Sequence, residues 1–134
     1  MKRFVLLGLA AVCGAMVAAA GSQHTVSVTL NYDFSVDNAC SGSVTTGCLK
    51  QFNIYDITGG GTPVKLFSIA APGGANSAVT GITGTSGPVT LKSGVHTFAA
   101  TAQMADGTES SPNGSTATAG VAPGSPASFS VVVQ

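Results

Sequence analysis

From Thr25 to Val36 the chain alternates without a break. Val26, Val28, Leu30, Tyr32, Phe34 and Val36 are apolar or aromatic, and Thr25, Ser27, Thr29, Asn31, Asp33 and Ser35 lie between them. A period of two sends one set to each face of an extended chain, so the segment is predicted as a half-buried strand. The polar stretch Asp37 to Gly47 reads as a loop, with Cys40 inside it and Cys48 at its far end. Leu49 to Thr58 is a second strand with Phe52 and Ile54 on one face, stopped by Gly59, Gly60 and Gly61. Val64 to Ile69 is a third, ended by Pro72, Gly73 and Gly74. Between Ala75 and Gly87 only Val79 and Ile82 are sizeable apolar residues, which supports one short edge strand and no more. Pro88 to Leu91, Val95 to Met104 and Ala127 to Val133 complete the set, with Phe98, Ala100, Ala102 and Met104 sharing a face of the second of these. Asp106 and Gly107 mark a hairpin turn. Ser110 to Pro126 contains Pro112, Pro123 and Pro126 and fits either a long loop or a proline-broken strand around Thr116 to Val121.

Past residue 20 no window carries apolar residues at helical spacing over ten positions. About seven short strands separated by turn signals predict an all-β, two-sheet sandwich, each strand burying alternate side chains against the facing sheet. Each inward Val, Leu or Phe then stabilises the fold by roughly 1.5–3 kcal/mol.

The first twenty residues follow a different rule. Met1, Lys2 and Arg3 give a positive start, Phe4 to Val17 is an almost unbroken apolar run, and Ala18, Ala19 and Ala20 are small. This three-part pattern predicts a secretory signal peptide over 1–20, cleaved before Gly21, and a single domain over 21–134. The alternative, a retained anchor, would have 17 residues from Phe4 to Ala20, the short limit for crossing about 30 Å of hydrocarbon. Cys13 sits in this segment behind Val12, which is too bulky for a lipid-attachment site. The exported part keeps Cys40 and Cys48, an even count in an oxidising compartment, and so predicts one disulfide. Closing so short a loop contributes about 2–3 kcal/mol on the chain-entropy model. The spacing suits neither a redox pair nor a four-ligand metal site. A secreted, periplasmic or cell-surface location follows.

With Lys2 and Arg3 removed, three lysines face five acids, a net charge of about −2, and no arginine remains. That excludes a backbone-neutralising nucleic-acid surface or an anionic-membrane surface. The two histidines cannot form a three-His site, and no serine sits in a nucleophile elbow. His24 falls at the start of the mature chain, and His96, at the opening of a strand, reads as structural. The sequence therefore predicts no enzyme, no cofactor and no catalytic residue.

The residues of three segments, His24 to Phe34, Gln51 to Asp56 and Gly94 to Ser110, resemble fibronectin type III and related bacterial immunoglobulin-like domains. Tyr32 stands at the position of that family's core Trp. Phe52, Ile54 and Tyr55 match its third strand, and His96, Phe98, Ala100, Ala102, Gly107 and Ser110 match its sixth, with His96 where a Tyr is usual. The resemblance implies a non-catalytic spacer or a module binding extracellular proteins or glycans. In that topology the loop Asp37 to Cys48 and the stretch Asp106 to Pro126 share one end of the sandwich. Candidate binding residues there are Asp37, Ser41, Thr45, Thr46, Asp106, Glu109 and Asn113. Asp37, Asp106 and Glu109 could also approach one another as a weak Ca²⁺ site, although turn formation explains Asp37 and Asp106 equally well. The alternative function, a small carbohydrate-binding module, would need an exposed aromatic platform, for which Tyr55 or Phe67 are the candidates. Exposed edge strands invite pairing between copies, the valine-rich final strand above all.

Overall fold

The computed structural model describes residues 22–92, 96–112 and 128–134. The predicted signal peptide, Asn113 and the Thr116 to Val121 segment lie outside the described residues. Among the described residues there are eight strands: β1 (Ser22–His24), β2 (Val26–Asp33), β3 (Leu49–Asp56), β4 (Val64–Ala70), β5 (Ala78–Thr85), β6 (Val89–Leu91), β7 (Phe98–Met104) and β8 (Ser128–Val133). A single 3-10 turn, Thr58–Gly60, follows β3, and there is no α-helix among the described residues.

In β2 the period-two pattern becomes burial directly. Val26, Val28, Leu30 and Tyr32 are buried, while Thr29 and Asp33 face solvent. The strand ends three residues before the sequence pattern does. The Asp33 carboxylate accepts a hydrogen bond from the Ser35 N–H at 3.0 Å and turns the chain, so Phe34 still reaches the core but Val36 is 76% exposed. A second correction concerns β5, which runs eight residues and not the short edge piece its sparse apolar content predicts. Gly81 and Gly84 dilute its pattern. Gly81 adopts a φ of +72°, a conformation open to glycine, at an irregularity in the β2–β5 ladder, where its N–H is held by the Asn31 side chain at 2.9 Å.

All strand pairs are antiparallel, in two three-stranded sheets ordered β5-β2-β8 and β4-β3-β7 and a small β1-β6 ribbon. The inner faces meet in one core built from β2 (Val26, Val28, Leu30, Tyr32), β3 (Phe52, Ile54) and β7 (Ala100, Ala102), with Leu91 from β6. Tyr32, Phe34 and Phe52 pack edge to face with centroids 4.9–6.1 Å apart. Where the sheets meet along one side, Gly84 of β5 lies against Ile69 of β4, so close that an added Cβ would fall 2.4 Å from Ile69 Cγ1.

This is a β-sandwich compatible with the immunoglobulin-like class, with differences in strand order: β1 pairs with β6 in a separate ribbon rather than with β2, and the last strand changes sheets. That class sets its last strand in the sheet opposite the second strand. Here β8 runs along β2 instead, Val28 opposite Val131 and Thr29 opposite Ser130. Part of the place beside β7 is taken by the chain's own return. After the Asp106–Gly107 turn, Met104 N–H donates to Thr108 O at 2.8 Å and Ser110 N–H to Ala102 O at 2.9 Å. Pro112, two residues on, has no N–H with which to extend that ladder.

Candidate functional site

Three segments converge at one end of the sandwich: 37–48 between β2 and β3, 71–77 between β4 and β5, and 105–108 after β7. They are joined by main-chain bonds across loops. Ala39 N–H donates to Ala75 O at 2.8 Å, Gly74 N–H to Cys40 O at 3.0 Å, and Ala105 N–H to Cys48 O at 2.9 Å. Cys40 and Cys48 form a disulfide with Cα atoms 4.9 Å apart, closing residues 41–47 into a ring. Within it Ser41 accepts from Val44 N–H through its hydroxyl at 3.1 Å, and its own N–H donates to Val44 O at 2.9 Å. Thr45 and Thr46 point into solvent, as does Val44, 48% exposed.

The structure thus brings the 37–48 and 105–108 segments together. It also adds 71–77, which the sequence marks only by the turn signal Pro72-Gly73-Gly74.

The three candidate acids do not come together as a cluster. Asp37 accepts the Tyr32 hydroxyl at 2.9 Å and so anchors the loop to the aromatic core; burial and that hydrogen bond push the Tyr32 phenol far up. Asp106 holds its own turn by accepting the Thr108 N–H at 2.8 Å, and the same bond keeps its carboxyl below the usual range. Glu109 has left the loop end for the outer face of the β4-β3-β7 sheet. Its Oε1 accepts from Asn53 Nδ2 at 2.9 Å, from the Tyr55 hydroxyl at 2.8 Å and from the Thr101 hydroxyl. Among the described residues no group of three or more His, Cys, Asp and Glu is placed to hold a metal ion.

Glu109 is the centre of a wider network. Gln51 Nε2 donates to Asn53 Oδ1 and to Gln103 Oε1, both at 2.8 Å, and the Ser68 hydroxyl donates to Asn53 Oδ1 at 2.7 Å. Asn53 and Thr101 are 0% and 1% exposed although both point away from the main core, so every hydrogen bond they make replaces water. Burial raises the Glu109 carboxyl, but the bonds from Thr101, Asn53 and Tyr55 and the charge of Lys65 outweigh it and hold it below its ordinary value. The Tyr55 phenol is pushed up to about 12, by burial first and then by the Glu109 bond and charge. The network fastens the return after β7 to the sheet. Sequence reasoning missed it, yet a signal was present: Gln51, Asn53 and Tyr55 on β3 pair with Gln103, Thr101 and Ala99 on β7, a ladder rich in amides and hydroxyls on the solvent side.

Of the two aromatic candidates for a sugar platform, Phe67 packs against the core and Tyr55 spends its hydroxyl on Glu109. His96 lies at the end of the sandwich opposite the loop cluster, bonded to Asp56 and to the Lys92 main chain. Among the described residues no helix is long and apolar enough to cross a membrane. Comparison with protein-family models, with curated proteins and with solved structures gives no match to this chain.

Proposed function

We propose that the chain is an exported, non-catalytic binding module of the fibronectin type III or immunoglobulin-like kind, which grips an extracellular protein with its loop end. The observation that carries the reading is the cross-linking of three loops by the Cys40–Cys48 disulfide and the bonds from Ala39, Gly74 and Ala105. Loops already held in one arrangement lose less conformational freedom on binding, so modest polar contacts suffice. The exposed Val44, Thr45 and Thr46 supply an apolar tip with hydroxyl groups beside it. The family assignment rests on the pairing of β2 with β5 and of β3 with β4 and β7, and on His96, whose ring bonds the main chain four residues upstream as a corner Tyr does in that fold.

Binding of the purified mature chain to envelope fractions of its source cells tests this. The double substitution Thr45→Glu, Thr46→Glu is expected to weaken retention about tenfold or more, the equivalent of about 1.4 kcal/mol. Thr62→Glu, exposed at the opposite end, should leave it unchanged. Equal retention of all three proteins contradicts the reading, and loss on Tyr55→Ala alone points to a glycan on the outer sheet face.

A further inference from the structure

His96 is held at both ring nitrogens by groups that can only accept. Nδ1 lies 2.7 Å from Asp56 Oδ2, and Nε2 lies 2.7 Å from the main-chain oxygen of Lys92. A neutral imidazole has one N–H and one lone pair, so in this setting it would turn its lone pair on an oxygen. Only the doubly protonated ring donates to both partners. The contact is sheltered, the two side chains being 14% and 15% exposed, which weakens the competition from water.

The bonds also join three separate parts of the fold. Asp56 is the last residue of β3, Lys92 follows β6, and His96 precedes β7. Leu91, next to Lys92, is a core residue at 4% exposure, so the bond to Lys92 keeps that part of the core closed. On its other side the His96 ring stacks on Phe98, with centroids 6.0 Å apart. Thr58 supports the carboxylate through its N–H, which donates to Asp56 Oδ1 at 2.9 Å. Among the described residues Asp56 is the only ionised side chain bonded to the ring, and Lys92, the nearest cation in sequence, turns its side chain to solvent.

We propose that His96 is a proton-operated latch, whose charged ring fastens Lys92 at the end of β6 to Asp56 at the end of β3 and releases that corner of the sandwich on deprotonation.

The direction of the effect follows from linkage. The His96 ring is raised above its ordinary value, first by the Lys92 carbonyl and then by Asp56. Its contribution is therefore complete below the unfolded value, about 6.5, and is lost as pH rises through the higher folded value. Burial raises the Asp56 carboxyl, but bonds from Thr58 and His96 prevail and lower it, so its share is lost only in acid, as pH falls through the folded value. The latch holds in mild acid and opens as pH rises through the folded value, which lies above about 6.5.

Nitrogen-15 NMR of the histidine rings in the full chain, native and in urea, tests this. At the pH where the ring is half protonated in urea, the native His96 ring is expected to be mostly protonated at both nitrogens, and it should titrate higher than in urea. Asp56→Asn should lower its affinity for the proton about tenfold or more, one pKa unit. In parallel, His96→Tyr, which can reach the Lys92 carbonyl without titrating near neutrality, should keep the fold and flatten the loss of stability as pH rises. A native His96 ring that titrates no higher than in urea, or an unchanged titration in Asp56→Asn, overturns the proposal. The NMR titration decides the matter even where His96→Tyr does not fold.

Discussion

At the scale of single residues, the account rests on contacts with little room for substitution. Gly84 is one. A methyl group there meets Ile69 Cγ1 at 2.4 Å and Cδ1 at 2.8 Å, and Ile69 is itself buried, so the side chain has to leave its position in the core. Gly84→Ala is expected to destabilise the fold by about 1–3 kcal/mol in urea unfolding, the usual cost of overpacking. Glu109 is another. Removing its carboxylate strands the buried Asn53 and Thr101 groups, so Glu109→Ala should cost about 1–3 kcal/mol at neutral pH. Because its carboxyl is lowered in the fold, its contribution is present above the unfolded value of about 4.5 and disappears as pH falls through the folded one. Unfolding midpoints should therefore decline in acid, and less steeply in Glu109→Gln than in the parent. Alternation puts Asn53 and Thr101 on the face away from Phe52 and Ala102. It could not show them buried, since alternation reports which face a residue takes and says nothing of what folds back over that face.

At the scale of elements, two of the alternating segments were legible almost to the residue, while β2 stopped three residues short of its pattern. β3 and β4 end within a residue or two of their predicted limits, because β-branched and aromatic residues alternate there and glycines or proline stop them. β5 was underestimated for the opposite reason: its place comes from pairing with β2 along its whole length, a tertiary effect that its own glycine-containing sequence conceals. The disulfide was legible from the cysteine count together with the predicted export. Replacing Cys40 and Cys48 together with Ala is expected to lower stability by about 2–3 kcal/mol and to speed amide exchange across 41–47, read by denaturant titration and hydrogen exchange. A stability within about 0.5 kcal/mol of the parent would mean that the bonds from Ala39, Gly74 and Ala105 hold the loop end unaided.

At the scale of the whole molecule, two layers of antiparallel strands share one core, with interlocked loops at one end and the His96 contact at the other. The sandwich was readable from strand number and turn spacing. The place of the last strand was not, because Phe129, Val131 and Val133 fit an inward face beside β7 as well as beside β2. What decides it is the hairpin after Met104, which brings 108–110 back along β7. Two-dimensional NMR of cross-strand contacts in the chain tests this arrangement most directly. The account predicts backbone contacts between Thr29 and Ser130 across β2 and β8, and between Cys48 and Ala105 at the loop end. Contacts from 128–133 to β7 in place of β2, with none joining Cys48 to Ala105, would contradict it.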